Sequence, residues 1–140
     1  MMPSPDWSLD PQLQRDTIAV GDLSLARVLA MNDANYPWVI LVPRLAGAVE
    51  IIDLDDQQQA QLMDEIAMLS RVLKDVTGCD KLNIAAIGNV VAQLHVHIVA
   101  RHRNDAAWPR PVWGVVPARP YDPAELSRFV GRIQQEVAFG

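Results

Sequence analysis

The residues best suited to chemistry lie between Gln93 and Arg101, where polar and apolar side chains alternate as far as His97. This alternation predicts a half-buried β-strand, on which every second side chain points to the same face. The core side of the strand is predicted to carry Leu94, Val96, Ile98 and Ala100. The other face then carries Gln93, His95 and His97. Successive residues of these three are about 6.6 Å apart along the strand.

Two imidazoles on one strand face are suited to several kinds of chemistry. Neutral imidazole can act as nucleophile, base or metal ligand, and protonated imidazole can bind an anion. The chain has three histidines, and two of them, His95 and His97, lie here. One alternative is a pair of polar residues on a solvated strand face. Another is a metal site built on the two histidines, although the sequence offers no clear third ligand for it.

Composition limits the classes of partner. The 140 residues are 50% hydrophobic and 21% charged, which fits one globular domain, residues 1–140. The net charge of −5 argues against nucleic acid or an acidic membrane surface as a partner, but a small anionic ligand needs only local donors. The one cysteine, Cys79, cannot form an internal disulfide, and no apolar run reaches the roughly 20 residues that span a bilayer. We therefore expect a cytoplasmic protein with no membrane partner.

Three helices are predicted from their capping residues. Asp10 and Pro11 begin a short helix over residues 12–16, and Asp122-Pro123 begins a final helix that runs to about Val137. Between them, Asp55 or Asp56 caps the longest helix, which ends at Gly78. The acidic residues in its N-terminal half are expected on a solvated face: Asp55, Asp56, Asp64 and Glu65.

Five strands are predicted around the longest helix. The first two are joined by a turn at Gly21-Asp22. The predicted strands are Thr17–Val20, Leu23–Ala30, Pro37–Pro43, Lys81–Ile87 and Leu94–Arg101. The resulting order, β-β-β-α-β-β followed by a helix, is typical of an α+β domain with an antiparallel sheet and helices on one face.

The stretch Gln93-Leu94-His95-Val96-His97-Ile98-Val99 resembles the histidine triad (HIT) motif, in which three histidines alternate with apolar residues. Residues 40–44 (ILVPR) resemble the strand of that family that ends in Pro-Lys or Pro-Arg. The resemblance covers about residues 15–105 and leaves a C-terminal arm and helix, residues 106–140, outside the match. With glutamine at the first triad position, the chain resembles a bacterial subgroup of the family that carries the same residue there.

The resemblance implies a homodimer that binds nucleotides and cleaves them at the α-phosphate without a metal or other cofactor. It makes His95 the nucleophile, since a neutral imidazole can attack phosphorus without a separate base. His97 is expected to donate to the phosphate oxygens, and Gln93 can hydrogen-bond a phosphate or orient its neighbour. Asn89 is a further candidate donor, because Asn83, Ala85, Ile87 and Asn89 share one strand parity. The resemblance implies that Asp33 accepts hydrogen bonds from the ribose hydroxyls. Two alternatives stay open: Asn83 competes with Asn89, and Asp33 also fits a turn residue that closes its own loop.

Two departures from the family pattern bear on turnover. Gln93 can form hydrogen bonds but cannot titrate near neutral pH, and Val90 replaces a hydroxyl residue found in many relatives. A second hypothesis is therefore a nucleotide-binding module with little or no turnover. Trp38 stands where some relatives carry a further histidine, and we predict that it packs in the core. Trp113, in the proline-rich arm, either reaches the site or covers the edge of the sheet.

Overall fold

The elements follow the predicted order in the computed structural model, which describes residues 2–140. The strands are β1 (Thr17–Asp22), β2 (Ala26–Met31), β3 (Trp38–Pro43), β4 (Lys81–Ala85) and β5 (Val96–Arg101). The helices are α1 (Pro11–Asp16), α2 (Asp56–Thr77) and α3 (Pro123–Glu136), with one 3-10 turn at Ile51–Asp53. The strands form one antiparallel sheet in the order β1-β2-β3-β5-β4, which confirms the predicted α+β class.

The predicted helix caps are confirmed. The Asp10 carboxylate accepts from the backbone N–H of Gln12 at the start of α1, and the Asp55 carboxylate accepts from that of Gln58 at the start of α2. Side-chain oxygens at these positions satisfy N–H groups that have no partner within the helix. At the end of α2, Gly78 has φ +63°, a left-handed conformation that residues with a side chain rarely adopt.

Both faces of the sheet are covered. On one face, α2 packs against β5, and α3 packs against α2 and β1. The core on this face contains the side chains predicted to point to it: Leu94, Val96, Ile98 and Ala100. On the other, Val99 packs with Tyr36, Trp38 and Ile40 under segments from the N-terminus and the C-terminal arm. The face that carries the histidines is therefore a second core rather than a solvated surface, and the fold gives it room for a buried site.

The predicted turn at Gly21-Asp22 is wrong, because β1 continues through both residues and the chain reverses at residues 23–25. A bulge between Ala19 and Gly21 interrupts the pairing of β1 with β2. The glycine is explained by packing: a Cβ atom on Gly21 would lie only 2.5 Å from Cγ of Phe139. Gly21 thus marks a close approach of the C-terminal segment to β1.

Glu65 is not on a solvated face as predicted. Its side chain is buried, and its two carboxylate oxygens accept from the backbone N–H groups of Leu25 and Ala26, each at 2.9 Å. Buried backbone N–H groups need partners, and here a helix side chain supplies them at the beginning of β2. Glu65 therefore fastens α2 to the sheet.

Candidate active site

His95 and His97 share one cavity at the beginning of β5. Their side chains are only 7% and 5% exposed, and their ring centroids are 4.8 Å apart. Both rings line a cavity of about 420 Å³. The two residues are therefore close together in a cavity and not on a solvated strand face.

Three parts of the chain complete this cavity. Helix α1 and the end of β2 form one side, the segment between β4 and β5 forms another, and Trp113 of the C-terminal arm borders His97. The lining residues, apart from the two histidines, are Gln12, Leu13, Asp16, Met31, Ile87, Gly88, Asn89, Val90, Val91 and Trp113. A polar end with histidines thus faces a wall of mixed apolar and polar side chains, an arrangement common in sites for small organic ligands.

The hydrogen bond of His95 determines where its neutral ring carries the proton. Nδ1 lies 2.6 Å from the backbone carbonyl oxygen of Gln93, and a carbonyl oxygen can only accept. Nδ1 is therefore the protonated nitrogen, and Nε2 keeps its lone pair. The ring has the tautomer that a nucleophile or base requires.

His97 has the opposite tautomer. The indole N–H of Trp38 donates to Nδ1 of His97 at 3.0 Å, and because indole nitrogen is only a donor, Nδ1 must be unprotonated. The proton of the neutral ring is then on Nε2, which is available to donate. Burial, followed by repulsion from His95, lowers the pKa of His97 from 6.5 to about 4, so the ring is neutral near pH 7.

The side chain of Gln93 points to the N-terminal segment. Its Oε1 accepts from the backbone N–H of Asp10 at 2.9 Å, and its Nε2 donates to the carbonyl oxygen of Ser8 at 2.8 Å. Both ends of the amide are thus engaged with the segment that leads into α1. Gln93 contacts His95 through its backbone and supports the cavity wall through its side chain.

The two candidate asparagines have different surroundings. Asn89 lines the cavity together with both histidines, next to Gly88, whose φ of +72° suits glycine. Asn83 lies on β4 opposite Val99, and its Oδ1 accepts from the guanidinium of Arg101 at 2.7 Å. The structure therefore brings Asn89, and not Asn83, to the cavity.

Asp33 lies outside the cavity lining. Its side chain is buried, and Oδ1 accepts from the backbone N–H groups of Asn35 and Arg119 at 3.0 and 3.2 Å. The same oxygen accepts from the side-chain amide of Asn35 at 2.8 Å. These contacts are those of a turn residue that closes its own loop and attaches the C-terminal arm to it.

The arm that carries Trp113 is held by a buried ion pair. Arg101 donates from Nε and Nη2 to the carboxylate of Asp105 at 2.8 and 3.0 Å, and Arg101 is only 1% exposed. Burial alone would raise the pKa of Asp105. Hydrogen bonds from Arg101 and from the backbone N–H groups of His102 and Ala107 outweigh burial and hold this pKa below its usual value.

Several residues of the cavity were not recognised from the sequence. Trp38 packs in the core as predicted, but its hydrogen bond to His97 was missed. Of the two alternatives left open for Trp113, the structure shows that it reaches the site: its ring centroid lies 5.1 Å from that of His97. The cavity residues Gln12 and Asp16 were assigned only to a short helix, and Asp16 Oδ2 accepts from Gln12 Nε2 at 2.8 Å. The only sequence signal for them was the cap of α1, which says nothing of what the helix faces.

Residues 2–140 contain no cluster of metal-binding side chains and no helix that could cross a membrane. No three His, Cys, Asp or Glu side chains in that range come together as a metal-binding group. Within the same range, no helix has both the length and the apolar composition for crossing a bilayer.

Comparison with known proteins identifies the family. The HIT domain model matches residues 12–104. A histidine triad protein from Bradyrhizobium japonicum is 58% identical with TM-score 0.94, and the match covers 96% of this chain and 100% of that one. Histidine triad proteins from Sinorhizobium meliloti and Marinobacter aquaeolei are each 42% identical, with TM-scores 0.92 and 0.90. These two matches cover 94% and 93% of this chain, and 98% and 95% of the respective relatives.

The comparison with curated proteins gave no match. Members of this family are generally nucleotide-binding hydrolases or transferases. The chain belongs to the histidine triad (HIT) family.

Proposed function

We propose that this protein is a nucleotide hydrolase or nucleotidyl transferase in which His95 attacks the α-phosphate. The observation that carries the proposal is the pair of opposite tautomers in one cavity. His95 has a lone pair on Nε2, and its neighbour His97 has a proton on Nε2. One ring can attack a phosphorus atom while the other donates to a phosphoryl oxygen.

The first step forms a bond between Nε2 of His95 and the α-phosphorus, and breaks the bond from phosphorus to the leaving group. The ring becomes an imidazolium as its lone pair is used. Its Nδ1 proton stays on the ring and is held by the carbonyl oxygen of Gln93, 2.6 Å away, which stabilises the new positive charge. The electron pair of the broken bond leaves with the leaving group, which takes a proton from water.

In the second step, water attacks the same phosphorus and the bond from phosphorus to His95 breaks. The products are a nucleoside monophosphate and the original neutral ring, and the excess proton is released to solvent. An alcohol or another phosphate in place of water makes the reaction a transfer. Charge develops on the phosphoryl oxygens in both steps, where His97 and Asn89 serve as donors from the cavity wall.

The nucleoside part of the substrate is assigned to the side of the cavity formed by α1 and the end of β2. Leu13 and Met31 offer apolar contact to a base, and Gln12 and Asp16 offer polar contact. Asp33, the candidate for the ribose hydroxyls, is engaged with its own turn and the C-terminal arm. Gln93 contributes by holding residues 8–10 ahead of α1 rather than by contacting phosphate.

A second candidate function is nucleotide binding with little or no turnover. It is favoured by Val90, a 93% exposed residue of the cavity wall that has no hydroxyl to protonate a leaving group. Gln93, which we place at the first triad position, adds no titrating group. We infer from this glutamine that the chain belongs to a bacterial subgroup of the family. Both changes affect the rate of the reaction more than the binding of a nucleotide.

The two functions are separated by one experiment. The protein is incubated with nucleoside phosphoramidates and dinucleoside polyphosphates, and both product release and a phosphorus adduct on the protein are followed, the latter by mass spectrometry. We expect turnover and an adduct on His95, both lost in His95→Ala and both kept in His102→Ala, whose ring lies outside the cavity. Full activity in His95→Ala would overturn the mechanism. Binding of a nucleoside monophosphate by calorimetry without turnover would favour the second function.

A homodimer through the outer edge of β4 is part of the proposal. The sheet ends at β4, and the apolar side chains of Ile84 and Ile87 are 50% and 44% exposed there. The other edge, β1, is contacted instead by the C-terminal region, with Gln134 donating to the carbonyl of Val20. An unpaired strand edge with apolar side chains favours self-association. Ile84→Lys should reduce the mass measured by sedimentation equilibrium, whereas a parent that is already monomeric would refute the dimer.

A further inference from the structure

Trp38 is joined to His97 by a contact that packing alone does not require. The two residues lie on neighbouring strands, in a diagonal arrangement in which Trp38 pairs with Val99 and Ile40 pairs with His97. Diagonal neighbours on one sheet face are within reach of large side chains. Here the indole N–H ends 3.0 Å from Nδ1 of His97, and both side chains are more than nine-tenths buried.

We propose that Trp38 is a positioning residue that holds the neutral ring of His97 with its proton on Nε2. Indole nitrogen has a proton and no available lone pair, so it can satisfy only an unprotonated Nδ1. A histidine or a glutamine in its place could both donate and accept, and would therefore leave the tautomer open. The tautomer itself does not depend on the proposed function, but its use as a donor to a phosphoryl oxygen rests on that function.

Among the groups around His97, Trp38 is the one that determines the tautomer of its ring. The rings against His97 are those of Trp38, His95 and Trp113, with centroids 5.6, 4.8 and 5.1 Å away. Among the described residues, Trp38 supplies the hydrogen bond to His97, and the other ionisable groups of the cavity are His95 and Asp16. Trp113 crosses His97 at 76° and contacts it by ring packing.

Removing the indole donor should allow both neutral tautomers of His97 and make its ring easier to protonate. Without the indole donor, a proton on Nδ1 of His97 is no longer opposed by a second N–H group pointing at it. The two neutral tautomers of His97 therefore come closer in energy. Protonation of the ring becomes easier for the same reason. Burial and the neighbouring His95 still disfavour the charged ring, so we expect the pKa of His97 to rise toward, but not above, its ordinary value.

The test is imidazole 15N NMR of the full-length protein, which has only three histidines to assign. In the parent at pH 7 we expect Nδ1 of His97 unprotonated and Nε2 protonated, with His95 showing the reverse pattern as an internal reference. In Trp38→Phe, which keeps a ring but has no donor, we expect a mixed His97 tautomer and a raised pKa. In Trp113→Phe, the matched control, the His97 tautomer should not change.

Activity provides a second readout. Loss of a single hydrogen-bond donor that acts in the transition state lowers kcat by about 10² to 10³. We expect Trp38→Phe to lower kcat by up to about 10²-fold, since His97 remains and adopts the productive tautomer part of the time, with a smaller change in KM. A fall in kcat without a change in tautomer would reduce Trp38 to a packing residue and overturn the proposal.

The outcomes also separate this proposal from the proposed function. If the parent spectrum showed Nδ1 of His97 protonated, the proposal would fail before any variant was made, which keeps the test independent of how Trp38→Phe folds. If the tautomer changed as expected in Trp38→Phe but the parent turned over no nucleotide, Trp38 would keep its positioning role and the proposed reaction would fail. An unchanged tautomer and titration in a folded Trp38→Phe would refute the role of Trp38 and leave the reaction untouched.

Discussion

Gln93 contacts His95 through its main chain and not through its side chain: the Gln93 carbonyl oxygen is 2.6 Å from Nδ1 of His95. The Gln93 amide is bound to Ser8 and Asp10 instead. The hydrogen bond that orients the His95 ring therefore does not depend on the side chain at position 93. What this position adds in the present chain is an anchor for the segment that precedes α1.

The first prediction concerns this anchor. Gln93→Ala removes two hydrogen bonds to the N-terminal segment, and we expect it to lower the free energy of unfolding by about 1–3 kcal/mol. Because Gln12 and Asp16 of α1 line the cavity, KM should rise, while kcat should change little since His95 keeps its backbone partner. Steady-state kinetics with urea unfolding checks both. A large fall in kcat at constant KM would place the Gln93 side chain at the phosphate.

The second prediction concerns the ion pair below the C-terminal arm. Asp105→Ala leaves the guanidinium of Arg101 buried without its carboxylate, and we expect a loss of about 3–5 kcal/mol in the free energy of unfolding. Asp22→Ala is the matched control, because the pair of Asp22 with Arg27 is partly exposed, and should lose about 1 kcal/mol or less. Urea denaturation measures both losses. Equal losses would show that Arg101 finds another partner or water.

The third prediction is a pH dependence of stability from His97. Its pKa is about 4 when folded and 6.5 as a free side chain, so between these values the unfolded chain binds more protons. The contribution is therefore complete above pH 6.5 and is lost as the pH falls toward 4. One pKa unit corresponds to about 1.4 kcal/mol, which makes the total loss on the order of 3 kcal/mol.

The measurement for His97 compares urea unfolding of the parent and His97→Gln at several values of pH between 7 and 4. The parent should lose about 3 kcal/mol more than the variant across that interval, since glutamine does not titrate. Parallel profiles for the two proteins would contradict the lowered pKa of His97.

The fourth prediction compares two glycines. Gly21→Ala brings a methyl group against the ring of Phe139, and we expect a loss of about 1–3 kcal/mol as the C-terminal segment is displaced. Gly131→Ala, inside α3 with no atom within 4 Å of the new Cβ, should gain about 0.5–1 kcal/mol because alanine has less backbone entropy to lose. Thermal or urea unfolding decides the sign. Stabilisation by Gly21→Ala would mean that Phe139 moves away freely.

Local patterns were enough to predict most of the fold. The caps at Asp10 and Asp55, the helix end at Gly78 and the alternation before His97 depend on neighbours within a few residues, and all are found. The turn at Gly21 was misplaced because a glycine that suits a turn also suits a close approach. Phe139, which explains it, lies more than a hundred residues further along the chain.

The sequence predicted the proximity of the two histidines, which depends on neighbouring residues, but not the contacts made by residues far away in the chain. The proximity of His95 and His97 follows from their spacing of two residues, although β5 begins at Val96, two residues later than predicted, and His95 precedes it. The hydrogen bond of Trp38 to His97 joins positions 59 apart, and that of Gln93 to Asp10 joins positions 83 apart. No local pattern encodes which atom of a distant side chain reaches a given nitrogen, so the tautomers could be assigned only once the strands were paired.

The residues that line the cavity include no lysine or arginine within the described part of the chain. An incoming phosphate must then be bound by dipoles and N–H groups, without release of counterions from a positively charged surface. Attraction between formal charges is screened by salt, whereas short-range dipolar contacts are screened far less. Nucleotide affinity should consequently stay nearly constant as ionic strength rises, and a singly charged phosphodiester or phosphoramidate should be accepted more readily than a terminal phosphate with two charges.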